Sequence, residues 1–459
     1  MNILQVNTAD DRGGAEKISR DLHQAYRSRR HRSWLVVRSK YSDDPDVLVM
    51  PNDRYRTTRA RFWIDVGDCL NSLVGKARGA GRLRELIQRV GEPARLGDVL
   101  AGREDFSYPA TGHLLELTPQ PPEIVHCHNL HAEMFDLREL PRLSQKVPVV
   151  ITLHDAWLLS GHCAHSFDCE RWRTGCGECP DLTIPPAVWR DATAFNWQRK
   201  KQIYSQSWLS VTTPSRWLME KVEQSILAPV IAEARVIANG VDLAVFRPGD
   251  KARVRSALGL PQDARILLFV SKRPRRSIWK DYPALQSAFA QASQNLTQQH
   301  LILIVLGEQA PTQRIGKSEM RFVAYQSAAE TVAAYYQAAD IYIHAARADT
   351  FPTTVLEALA CGIPTVATAV GGIPEQVLDL DKSKSNSATG ILTPPQDPPA
   401  MAAAIERLLS APELLHRLSL NAAADARHRF DRERQVDEYL TWYREIIASR
   451  QRTPCPTKH

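Results

Sequence analysis

Ile341-Tyr-Ile-His344, Ala345-Ala-Arg-Ala-Asp-Thr-Phe-Pro352, Thr353-Thr-Val-Leu-Glu-Ala-Leu-Ala360 and Cys361-Gly-Ile-Pro-Thr-Val-Ala-Thr368 follow one another without a break, and their reading decides the fold. The first block is an apolar run of strand length. The second is a loop, and the third is a helical pattern through Leu356, Glu357, Leu359 and Ala360. Gly362 falls where a C′ glycine belongs, and Pro364 bars any continuation. Pro364–Thr368 reads as the next strand, followed by Val370-Gly-Gly-Ile-Pro-Glu375. Strand, loop, helix, strand in this order is the unit of a parallel α/β sheet.

The same grammar extends in both directions. Arg265-Ile-Leu-Leu-Phe-Val270 and Leu301-Ile-Leu-Ile-Val-Leu306 are further buried strands of this series, and residues 401–450 are helical. An earlier series opens with Asn2–Thr8, a Gly13-Gly14 turn and a helical pattern through Ile18, Leu22 and Tyr26. It continues with Trp34–Arg38, Glu123–His128, Pro148–His154 and Trp208–Ser215. The turn-rich stretch Val236–Asp250 suits a boundary between the two. The expected domains are therefore 1–240 and 241–430, with 431–459 as a final helix and tail. Residues 54–109 interrupt the first domain as a basic, amphipathic insertion with Phe62-Trp-Ile. It reads either as a solvated helical excursion with one packed face or as a contact for acceptor or membrane surface.

Composition agrees with two such domains. The chain has 459 residues, 44% hydrophobic and 24% charged, values that exclude a disordered or collagen-like polypeptide. Two cores of roughly 200 residues each fold without disulfide help. Lys and Arg number 58 against 51 Asp and Glu, a net charge of +7 that suits anionic substrates or a membrane surface. It is too diffuse for a nucleic-acid binder. No apolar run reaches membrane-spanning length, and Met1–Thr8 reads as a strand rather than a signal peptide, so a cytoplasmic location is expected.

Ser271-Lys-Arg-Pro-Arg-Arg-Ser-Ile-Trp-Lys280 sets five basic residues directly after a strand, where open parallel sheets bind ligands. The plain alternative is a solvated face. Gly371-Gly372, ahead of a helix start, lets backbone N–H groups approach an anion, although a simple turn needs the same residues. Cys163, Cys169, Cys176 and Cys179 form the other distinctive cluster. Their Cys-x2-Cys half suits one side of a tetrahedral structural zinc; the alternative is four free or partly buried cysteines, or a disulfide if oxidised.

Asp349-Thr-Phe-Pro-Thr-Thr-Val-Leu-Glu357-Ala-Leu-Ala-Cys-Gly-Ile-Pro-Thr-Val-Ala with Gly371-Gly-Ile-Pro-Glu375 resembles the signature of the retaining glycosyltransferases of family 4. The resemblance continues through Gly13-Gly-Ala-Glu, Asn239-Gly-Val-Asp and Phe246-Arg-Pro, Ala338-Ala-Asp-Ile-Tyr-Ile, and Gly390-Ile-Leu-Thr-Pro-Pro. His126-Cys-His-Asn-Leu-His131 and His154-Asp-Ala-Trp with Cys176-Gly-Glu-Cys-Pro look like a bacterial exopolysaccharide subgroup of colanic-acid type.

The resemblance implies the GT-B fold: two Rossmann-like domains, an interdomain cleft and a C-terminal helix crossing back through Val436, Leu440, Tyr443 and Ile446. It implies sugar transfer from a UDP-, GDP- or ADP-linked donor to a hydroxyl of a lipid-linked oligosaccharide, with retention and without a catalytic metal. Glu357 would hold the ribose hydroxyls, Asp349 hydroxyls of the transferred sugar, and Lys280 the donor diphosphate. The accompanying Arg is open among Lys272, Arg273, Arg275 and Arg276. His154 would meet the sugar or reacting centre; of the weaker candidates His126, His128 and His131, one would contact the acceptor and the others pack. Gly13, Gly14, Phe351, Thr353, Thr354, Val355, Gly371 and Gly372 complete the expected donor contacts. Two positions depart from the family pattern. Asp349 replaces its Glu, withdrawing the carboxylate by about 1.5 Å, and Ala345-Ala346 replaces its Pro-Ser. The rivals are another GT-B enzyme, such as an epimerase or phosphorylase, and a non-catalytic nucleotide-sugar-binding scaffold.

Overall fold

Leu301–Leu306 is apolar at every position, a pattern that suits only a strand covered on both faces, and all six residues are buried. The chain, described by a computed structural model over residues 1–77, 79–131, 133–382 and 386–452, is built on two sheets of this kind. It divides into two units. The first holds Met1–Thr213, Leu218–Val236 and the chain from Tyr439; the second holds Pro214–Trp217 and Ile237–Glu438.

The first unit carries β1 (Asn2–Ala9), β2 (Arg32–Ser39), β3 (Val47–Val49), β4 (Ile124–Cys127), β5 (Val149–Thr152), β6 (Leu209–Thr213) and β7 (Ile231–Val236). Their order across the sheet is β3-β2-β1-β4-β5-β6-β7, with every pair parallel. The second unit carries β8 (Arg265–Val270), β9 (Leu301–Leu306), β10 (Gln313–Ile315), β11 (Ser318–Val323), β12 (Ile341–His344), β13 (Thr365–Thr368) and β14 (Gly390–Thr393). Its order is β10-β11-β9-β8-β12-β13-β14, parallel except for the β10–β11 edge. In both units the order reverses direction beside the first strand, between β1 and β4 and between β8 and β12. At such a switch point the flanking connections run to opposite faces and leave a crevice at the carboxyl ends of the strands.

Alternate residues of β8 feed separate cores. Ile266 and Leu268 pack with Val355, Leu356 and Leu359 of the helix Thr353–Ala360. Leu267 and Phe269 pack with Phe289, Ile405 and Leu408 on the other face. The helix Thr353–Ala360 ends as its sequence predicts. Gly362 takes φ +72°, its N–H bonds the Leu359 carbonyl at 2.9 Å, and Ile363 N–H bonds that of Ala358 at 2.9 Å. This is the Schellman pattern.

The C-terminal helix Arg432–Arg452 is fastened in the first unit by buried aromatic hydroxyls. Tyr443 Oη lies 2.6 Å from His126 Nδ1 and 3.2 Å from Tyr26 Oη. Tyr439 Oη lies 2.9 Å from Thr152 Oγ1, itself 2.6 Å from His126 Nε2. Both His126 nitrogens are thus occupied, and burial pushes its imidazole down to about 3. His126 packs the helix against β4 rather than reaching a ligand.

Among its described residues the insertion forms the α-helices Thr58–Asp68, Ala80–Arg89 and Pro93–Leu100. Much of its positive charge is neutralised internally. Arg56 pairs with Glu92 at 2.6 Å, Arg89 with Glu133 at 2.6 Å, and Arg95 with Asp105 at 2.7 Å. No helix among the described residues is long and apolar enough to cross a membrane.

Candidate donor and acceptor-side sites

In the second unit the two strands flanking the switch point deliver the charged groups. The chain leaving β8 runs antiparallel to the segment after β12, with Lys280 bridged to Ala346, Asp281 N–H on the Ala345 carbonyl at 3.1 Å, and Arg347 N–H on that of Trp279 at 2.9 Å. This pairing sets Lys280 Nζ 2.6 Å from Asp349 Oδ2, although 69 residues separate them. His344, the last residue of β12, completes the cluster. Its Nε2 lies 3.2 Å from Asp349 Oδ2 and 3.1 Å from Lys280 Nζ, and its Nδ1 lies 2.9 Å from Tyr342 Oη. With the Tyr342 hydroxyl donating to Nδ1, the Nε2–H donates to Asp349.

The electrostatics follow from burial and that ammonium. Burial alone would raise the Asp349 carboxyl, but Lys280 and His344 outweigh it and hold the group well below the ordinary carboxylate range. Burial, then the Lys280 charge, pushes His344 down to about 4, so its ring is neutral at pH 7. His344 was not expected from the sequence. The available signal was a polar residue closing an otherwise apolar buried strand.

Glu357 sits one turn into the helix Thr353–Ala360, 5% exposed, with Oε2 3.1 Å from Tyr336 Oη. Phe351 and Val355 belong to the hydrophobic core, so any ligand contact they make is through backbone. Thr353 and Thr354 are half-buried at the helix start. Within the basic loop, Arg275 is committed to Glu308 at 2.7 Å. Lys272 lies over the Tyr325 ring at 5.7 Å. Among the described residues Lys272, Arg273 and Arg276, all exposed, form no ion pair.

Gly371 and Gly372 have a packing reason of their own. Gly371 adopts φ +56°, and a Cβ there would fall on the Asp349 carbonyl; one at Gly372 would fall on that of Thr350. Gly372 N–H donates to the Thr350 carbonyl at 3.0 Å. The pair lets β13's exit pass directly behind the Asp349 loop and so fixes where that carboxylate stands.

In the first unit the corresponding positions hold histidines. Gln5 of β1 and His128 after β4 meet across the switch point at 3.1 Å, and His128 Nδ1 lies 2.9 Å from His154 Nε2 beyond β5. Burial drives His128 well below the ordinary histidine range and His154 down to about 4, so both rings are neutral. His131 behaves oppositely. Burial would lower it, yet the Asp155 carboxylate 2.8 Å away raises it. Gly13 and Gly14 are exposed at the start of the helix Gly14–Ser28, with Gly13 as its N-cap.

The four clustered cysteines lie in the connection after β5. Gly161 N–H donates to Cys176 Sγ at 3.3 Å, and His162 Nε2 lies 3.3 Å from Cys179 Sγ. Burial pushes Cys163 up to about 11 and Cys176 up to about 12, as thiols rather than thiolates. Among the described residues no group of three or more His, Cys, Asp or Glu is placed to hold a metal ion. The four thiols expected as a zinc set are not brought together.

Two doubly wound units, each with polar groups gathered at its switch point, define a two-domain α/β protein. Residues 12–245 match the model described as Glycosyltransferase Family 4, and residues 250–425 that of Glycosyl transferases group 1. The chain belongs to glycosyltransferase family 4. It is 31% identical over 227 residues to the D-inositol 3-phosphate glycosyltransferase of Saccharomonospora viridis, covering 47% of this chain and 51% of that one. The chain thus spans about half the length of such curated relatives. It is 24% identical over 349 residues to the candidate colanic acid biosynthesis glycosyl transferase WcaC of Escherichia coli K12, covering 71% and 77%. The sucrose-phosphate synthase of Thermosynechococcus elongatus superposes with a TM-score of 0.62 at 20% identity, covering 98% of this chain and 99% of that one. Anabaena HepE, solved with UDP, gives 0.59 at 16% identity, covering 97% and 100%. The fold is GT-B.

Proposed function

We propose that the chain transfers a sugar from a nucleoside-diphosphate donor to a hydroxyl of a growing polysaccharide, with retention at the anomeric carbon. The observation that carries this reading is the Lys280–Asp349–His344 cluster beside buried Glu357 at the β8/β12 switch point. Lys280, with Arg273 and Arg276, meets the negative charge that grows on the departing diphosphate, the term that usually dominates such catalysis. Glu357 accepts from the ribose hydroxyls, and Asp349 from hydroxyls of the sugar.

The bond from the anomeric carbon to the diphosphate oxygen breaks as the acceptor oxygen bonds the same face. The acceptor proton passes to the leaving phosphate oxygen. His154, neutral, can orient a hydroxyl without adding charge, and His128 holds its ring in place. The likeness to WcaC supports an exopolysaccharide acceptor, and the HepE structure with UDP supports a nucleotide donor. Purified protein incubated with UDP-, GDP- and ADP-sugars should release the nucleotide from one of them. Glu357→Ala should abolish that release. Saturable donor binding without turnover, even with lipid-linked acceptors present, would instead establish the non-catalytic reading.

The acceptor is read as lipid-linked because the insertion presents an apolar and basic surface. Phe62, Leu73, Val74 and Leu83 are 45–59% exposed. Arg59, Arg61, Lys76 and Arg82, of the same segment, are exposed and form no ion pair among the described residues. Exposed apolar side chains together with unpaired cations bind anionic bilayers. The protein should sediment with phosphatidylglycerol vesicles and not with phosphatidylcholine ones, and Phe62→Glu should weaken this. Equal recovery with both lipids would remove the membrane reading.

A further inference from the structure

The first unit contains a second recess, of about 170 Å³, that the reaction scheme above does not use. It lies between the insertion and the connections that follow β4 and β5, with His131 and Trp157 on its wall. Two of its lining residues each carry a buried polar atom with no partner: Oε2 of Glu104, 9% exposed, and Oη of Tyr108, 4% exposed. The other Glu104 oxygen is fully engaged, accepting from Trp157 Nε1 at 2.6 Å and from the buried Lys200 ammonium at 3.0 Å. A protein rarely leaves such atoms unpaired unless something else satisfies them.

We propose that this recess is a subsite for one neutral sugar unit of the acceptor, with Glu104 accepting from one hydroxyl and Tyr108 donating to another. Adjacent sugar hydroxyls are both donors and acceptors, the complement these two atoms require. Trp189 at the wall, 46% exposed, supplies a flat apolar surface on which a pyranose ring rests.

The charges select against an acidic sugar. The cations of the lining are already engaged, Arg89 by Glu133 at 2.6 Å and Arg103 by Asp98 at 2.8 Å. A uronate or phosphate would meet the unpaired Glu104 oxygen, and among the described residues the lining offers it no unpaired Arg or Lys. Asp155, which holds His131 at 2.8 Å, directly follows His154 in the chain, so the recess adjoins the histidines at the β5 end.

The proposal rests on the transferase reading for its role and is tested separately from it. Tyr108→Phe removes only a hydroxyl that no protein group uses, so the melting temperature should hold or rise. Quenching of tryptophan fluorescence by methyl glucoside, methyl galactoside and methyl fucoside reports occupancy directly, with glucuronate as the acidic counterpart. At least one neutral glycoside should bind the wild type, and Tyr108→Phe should weaken it about 3–10-fold. The acceptor KM should rise by the same factor, and Trp189→Ala should weaken binding as well. Unchanged sugar binding and acceptor KM in Tyr108→Phe, or tighter binding of glucuronate than of any neutral glycoside, overturns the subsite. Donor hydrolysis by the wild type would then leave the transferase reading standing. Glycoside binding that Tyr108→Phe weakens, in a protein that turns over no donor, supports the subsite and overturns transfer instead.

Discussion

Replacing Lys280 by alanine lowers the turnover of a saturating donor by about 10²–10³-fold, the usual cost of removing one charge-stabilising donor from a catalytic site. Lys280 is the cation nearest the predicted sugar contact, with Nζ 2.6 Å from Asp349 Oδ2 and 3.1 Å from His344 Nε2. Its loss has two consequences. The departing diphosphate loses a counter-charge, and the Asp349 carboxyl loses the main influence that keeps it ionised despite burial. The second gives a signature that lost binding alone does not produce. The acid limb of the rate profile moves to higher pH in Lys280→Ala, because Asp349 takes up its proton sooner. Lys280→Arg retains the charge but not the compact ammonium, so it keeps the wild-type profile with a smaller loss of rate. Initial rates across pH in the three proteins check this. An alanine variant within threefold of wild type would remove Lys280 from the chemistry.

Replacing Asp340 by alanine costs about 3–5 kcal/mol of stability, the range for breaking a buried ion pair from one side. Asp340 directly precedes β12 and accepts from Arg255 at 2.8 Å, Lys251 at 2.9 Å and the Ile266 N–H at 2.8 Å. The Asp340 and Arg255 side chains are only 6% and 5% exposed, so Asp340→Ala leaves a guanidinium buried without its charge. Lys251, 43% exposed, can turn to water and matters less. The pH dependence has a definite sign. Burial would raise the Asp340 carboxyl, but Lys251, Arg255 and the Ile266 N–H hold it below the ordinary value. Its contribution is therefore complete above the unfolded-state value of about 3.9 and is lost as pH falls through the lower folded value. Urea unfolding at pH 7 should show the full loss in Asp340→Ala, with the gap from wild type closing in acid. Equal midpoints at pH 7 would show that Arg255 is satisfied by its carbonyl contacts alone.

Much of the donor-side site is legible because its parts are local. The run Ile341–His344, the helix Thr353–Ala360 and the Gly362–Pro364 stop are neighbours in the chain, and each is dictated by periodicity and backbone chemistry within a few residues. Glu357 falls on that helix for the same reason. The basic loop's position after β8 was readable too, but which of its cations are free was not. That depends on Glu308, 33 residues from Arg275 in sequence and beside it in space. The insertion shows the same limit. Its arginines read as one basic stretch, whereas folding spends Arg56, Arg89 and Arg95 on Glu92, Glu133 and Asp105.

Sequence alone determined the two parallel α/β series, because alternation of apolar strands, glycine turns and helical faces is a one-dimensional code, and its resemblance to the family signature marked Asp349 and Glu357. Tertiary structure decided what those residues meet. It drew Lys280 and His344 onto Asp349, turned His126 into a fastening for the C-terminal helix, and made Gly371 a spacer behind the Asp349 loop. It also left Glu104 and Tyr108 with unpaired atoms in a recess. Hydrogen bonds and ion pairs act over about 3 Å whatever the separation along the chain. Partners 69 or 317 residues apart, as at Lys280–Asp349 and His126–Tyr443, are therefore fixed only when the sheets assemble.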